Sequence, residues 1–129
     1  MGGSGFSTKP DNLAPSSAPL LAKIPSMPWY TYLACFFAGA FLANAVPHFV
    51  KGVTGEPFPT PFAKPPGKGL SSPVVNALWG LLNFIIGFVL IHVGRLHHHP
   101  RHSALILFVA GVTVMSLMLS YTFGNRPSA

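Results

Sequence analysis

Three long blocks without a single charged residue limit what this chain can fold into more than any other feature. They are "PWYTYLACFFAGAFLANAV" (28–46), "PVVNALWGLLNFIIGFVLIHV" (73–93) and "SALILFVAGVTVMSLMLSYTF" (103–123). A helix of about twenty residues, rising about 1.5 Å per residue, crosses the roughly 30 Å hydrocarbon core of a bilayer. A soluble bundle would show polar faces at helical spacing, whereas these blocks are apolar nearly all round. The expected fold is all-α: a three-span transmembrane helical bundle with a long Pro/Gly-rich loop between helices 1 and 2. Only 8% of the residues are charged, against about 25% in an ordinary soluble domain. The net charge of +6 comes from eight Lys and Arg against Asp11 and Glu56. These basic residues stand singly between apolar blocks, which suits a bilayer with anionic headgroups and excludes nucleic acid as the expected partner.

The division that follows is a disordered polar tail over 1–26, an integral-membrane domain over 27–124 and a short tail over 125–129. Ser, Pro and Gly dominate the first tail and bury too little surface to offset the entropy of ordering. The tail lacks the basic start and apolar block of a secretory signal. Within the domain, helices are expected at about 28–46, 73–93 and 103–123, with a structured loop over 48–72. Pro28 suits a first helical turn, and Ser72 with Pro73 makes an N-cap followed by a first-turn proline. Pro47 is placed at the exit of helix 1, and Gly124 just past helix 3. Trp29, Tyr30 and Tyr32 suit an aromatic belt. An odd number of spans puts the termini on opposite sides. Lys9, Lys23, Arg95 and Arg101 against Lys51, Lys64, Lys68 and Arg126 gives no excess of positive charge, so orientation stays unresolved.

In helix 2, Asn76, Gly80, Asn83 and Gly87 recur at four, three and four residues and so share a face. Small residues let another helix approach closely in lipid, and amides bond across the contact. This stripe is read as helix-packing or ligand-facing, with Asn44 of helix 1 expected near Asn76. Cys35 sits in "LACFFAG" and reads as a small buried hydrophobe. No Asp, Glu, Lys or Arg lies deep in a span, which weakens a proton relay or a path for charged substrates.

The loop is too long for a simple connector. Prolines 57, 59 and 61 alternate with Phe58 and Thr60 and stiffen the chain. A cap on the bundle is expected, with His48, Lys51, Phe58, Phe62, Lys64 and Lys68 as its recognition surface. "PPGKGLSS" lacks the upstream Gly and the Ser or Thr after Lys that a phosphate-binding loop needs. His97, His98, His99 and His102 crowd a turn; they are weak metal candidates, because neighbouring imidazoles rarely converge and no Cys or carboxylate is near. No cofactor is expected.

"NAVPHFVKGVTGEPFPTPFAKPPGKGLSSPVVNALWGLLN" (44–83) resembles a family of small uncharacterised bacterial integral-membrane proteins. The resemblance implies a bacterial inner-membrane location and no chemistry. The function expected is a non-enzymatic subunit or accessory protein, forming a homo-oligomer or joining a larger membrane protein through its helices. The alternatives are an oligomeric transporter or channel for a neutral solute or lipid, and a membrane enzyme using His48 and Glu56.

Overall fold

The structure, a computed structural model, describes residues 1–3, 28–94 and 101–125. The readings of residues 4–26, of His97, His98 and His99, and of Arg126 lie outside them. Three helices make a membrane-spanning apolar bundle: α1 (Trp29–Val53), α2 (Pro73–Val93) and α3 (Arg101–Gly124). Between α1 and α2 lies a two-stranded antiparallel ladder, β1 (Phe58–Pro59) and β2 (Leu70–Ser71), in which Phe58 faces Ser71 and Pro59 faces Leu70. The loop is therefore not purely irregular. Prolines hold β1 extended, and the buried Thr60 hydroxyl meets that of Ser71 at 2.5 Å.

The middle helix is α1. It packs on both α2 and α3, which scarcely meet each other. On the α2 side, Gly52 lies against Ala77, Phe49 against Gly80, Leu42 against Gly87 and Cys35 against Gly94. The rising and falling numbers make the pair antiparallel. A Cβ on Gly80 would come within 2.7 Å of the Phe49 Cα, so only glycine permits this approach. On the α3 side two glycines face each other's helix. A Cβ on Gly39 would overlap the Phe108 carbonyl, and one on Gly111 would overlap that of Phe36.

α1 continues seven residues beyond the expected end and carries Pro47 within it. A proline removes one helical hydrogen bond and crowds the turn before it. Here Phe49 and Gly52 are seated on α2 beyond the proline, and that packing carries the helix onward. It stops at Thr54, whose amide and hydroxyl both bond the Val50 carbonyl, at 3.0 and 2.9 Å. Gly55 then takes φ +78°, a turn that glycine makes without strain. At the start of α2 the Ser72 hydroxyl accepts from the Val75 amide at 3.4 Å, with Pro73 in the first turn.

Candidate functional site

The polar groups of the bundle gather on the contact between α1 and α2 at the loop end. Asn44 donates to Asn83 Oδ1 at 3.0 Å, and His48 Nδ1 meets Asn76 Oδ1 at 3.0 Å. Asn44 thus pairs with Asn83, not with Asn76 as expected. The glycine contacts advance one residue up α1 for each residue down α2, and that register sets Asn44 beside Asn83. Asn76, Gly80, Asn83 and Gly87 are the buried residues of α2, and they face α1 of the same chain.

Asn76 also ties the cap to the helices. Its amide nitrogen donates to the carbonyls of Phe58, Ser71 and Ser72 at 2.8, 3.1 and 3.1 Å. Asn83 donates to the Trp79 carbonyl at 2.7 Å. The chain after β1 folds back onto Thr60, whose carbonyl accepts from Ala63 and Gly67.

The expected recognition surface divides. His48 is not on it: it lies in α1, only 3% exposed. Phe58 is half-buried and packs against His48 and Phe123, with ring centroids 5.3 and 4.6 Å apart. Phe62 sets its edge on Trp79 at 5.1 Å yet is largely exposed. Lys64 and Lys68 are exposed. Lys51 forms an ion pair with Glu56, which also takes a bond from the Thr54 hydroxyl. His102 is exposed, and no group of three metal-ligating side chains occurs among the described residues.

The hydrogen bond and charge of Lys51, helped by Thr54, hold the Glu56 carboxyl below its ordinary range. A lowered folded value means that the pair contributes fully above the ordinary carboxylate pKa. That contribution fades as pH falls through the lowered value. A carbon NMR titration should place the Glu56 midpoint below that of a free glutamate, and Lys51→Met should move it upward. A midpoint indifferent to Lys51→Met would remove the pairing as its cause.

Because α2 and α3 scarcely meet, a cleft runs between them with α1 as its floor. A cavity of about 260 Å³ at its loop end is lined by Asn44, His48, Thr60, Trp79, Met118 and Phe123 among others. A second, of about 250 Å³, shares Asn44, Trp79 and Met118 with the first and continues past Phe36, Phe41 and Met115. No lining residue of either cavity is charged. The Trp79 Nε1–H is buried and finds no acceptor among the described residues.

Trp79, Thr60, Met115, Met118 and Phe123 were not singled out in the sequence. Trp79 stands three residues after Asn76 and four before Asn83, so the stripe itself pointed to it. Met115 and Met118, three apart on α3, were the other available signal. No protein-family model, curated protein or solved structure matches this chain.

Proposed function

We propose that this small integral-membrane protein is non-enzymatic and takes a neutral amphiphile from the bilayer into the cleft between α2 and α3. The observation that supports this reading is the lining: apolar and aromatic walls, a few polar groups at the loop end, and no charge. Binding sites for small molecules have this make-up, at roughly 300–1,000 Å³, a size the two adjoining cavities of about 260 and 250 Å³ reach only together. A path for ions or protons would carry a series of ionisable side chains, whereas His48 is the one such group among the described lining residues.

The Asn/Gly face is engaged by α1 of the same chain. A homo-oligomer or a larger membrane protein would therefore meet the cap or an outer face of the bundle instead of that stripe. An enzyme using His48 and Glu56 needs the carboxylate beside the imidazole. Glu56 pairs with Lys51, while His48 is oriented by Asn76. Exposed Lys64 and Lys68 suit anionic headgroups at the loop face. A bacterial inner-membrane location belongs with this reading, on the resemblance over residues 44–83.

Native mass spectrometry of protein extracted gently from its own membrane tests the proposal. One neutral lipid should travel with each chain, and Met118→Trp, which fills the cleft, should remove it. A bare wild-type chain, or a lipid retained equally by Met118→Trp, would contradict it.

A further inference from the structure

We infer that the His48 end of this cleft selects the free hydroxyl of a diacylglycerol-type lipid, an inference that rests on the cleft being a lipid site. Asn76 spends its amide nitrogen on the Phe58, Ser71 and Ser72 carbonyls, so the atom turned to His48 is its oxygen. An amide oxygen only accepts, so His48 Nδ1 carries the proton and Nε2 carries the lone pair. Nε2 has no hydrogen-bond partner among the described residues, and His48 lines the 260 Å³ cavity. A fixed acceptor in an uncharged cavity calls for a neutral donor, and a hydroxyl is the donor that membrane lipids offer. A phosphate-bearing headgroup would find no cation there to offset the loss of its hydration.

Depth and shape fit the same ligand. His48 lies nineteen residues beyond Trp29 on α1, about 28 Å along the helix, at the edge of the hydrocarbon core where a lipid glycerol sits. From there the second cavity continues along α1 past Phe41 and Phe36 as an apolar groove for part of one acyl chain. Trp79 borders both cavities and supplies part of their apolar wall. Hydroxyl and chain thus meet acceptor and apolar groove in order.

The test uses the full chain in phosphatidylcholine vesicles with two photoreactive probes. One is a diacylglycerol with a diazirine in its acyl chain; the other is the same molecule with its hydroxyl capped as a methyl ether. The first should label the segments holding Phe36, Phe41 and Met115. The ether should label them about tenfold less, the effect of one hydrogen bond in a dry site. His48→Phe should bring the first probe down to the level of the second. Equal labelling of the wild type by both probes would overturn hydroxyl selection while leaving a lipid cleft. No labelling of the cleft by either would overturn both readings. The wild-type comparison decides the matter even if His48→Phe folds poorly.

Discussion

Replacing Asn76 by leucine is expected to destabilise the protein by about 3–5 kcal/mol and to free the cap from the bundle. The side chain is fully buried and holds four groups at once: three carbonyls of the cap and the His48 ring. Leucine has the same branched shape but neither donates nor accepts, so His48 and the Phe58 and Ser71 carbonyls lose this partner where water does not reach, while the Ser72 carbonyl keeps the residue-76 amide. Each group left unpaired costs about 1–3 kcal/mol, less what relaxation recovers. Hydrogen exchange should then rise selectively at Ala63, Gly67 and Gly69, whose amides close the cap, before the helices lose protection. A thermal midpoint within a degree or two of wild type, with those amides still protected, would show that Asn76 does not hold the cap.

Gly111→Leu carries the second large effect. α3 rests on the bundle by its contact with α1, and Gly111 sits where a Cβ would overlap the Phe36 carbonyl. Backbone cannot swing aside as a flexible side chain can, so the helices must part. A cost of about 3 kcal/mol or more is expected, at the upper end for overpacking. Gly124→Leu is the matched control, because nothing lies within 4 Å of the position its Cβ would take. Thermal scanning in detergent should show Gly111→Leu aggregating well below wild type and Gly124→Leu close to it. Equal behaviour of the two variants would mean that α3 is not seated through Gly111.

Much of this architecture was legible because each signal was local. Uncharged length gave the spans, Ser72 and Pro73 marked the start of α2, and the spacing of Asn76, Gly80, Asn83 and Gly87 gave its buried face. What was not legible depends on neighbours. Pro47 reads as a helix end until Phe49 and Gly52 are seen seated on α2. His48 reads as a loop residue for the same reason, because the helix that buries it was expected to have stopped. Asn44 was matched with Asn76 by depth alone, whereas the register of the glycine contacts gives it Asn83. The cleft was beyond reach because it comes from two helices failing to meet, which neither helix encodes by itself. The ladder between Phe58 and Ser71 is only two residues per strand and rests on Asn76, a long-range partner.

These findings converge on a bundle whose small-residue stripe is satisfied within the chain and whose open feature is the α2–α3 cleft. Site-specific benzoylphenylalanine crosslinking in intact membranes examines that cleft directly. The probe is placed at Met115, inside the cleft, and separately at Ile106, which is 66% exposed on α3 and outside both linings. The account predicts one predominant neutral-lipid adduct at Met115 and a mixture reflecting the bulk bilayer at Ile106. A protein adduct at Met115 would contradict it and make the cleft a docking surface for another chain.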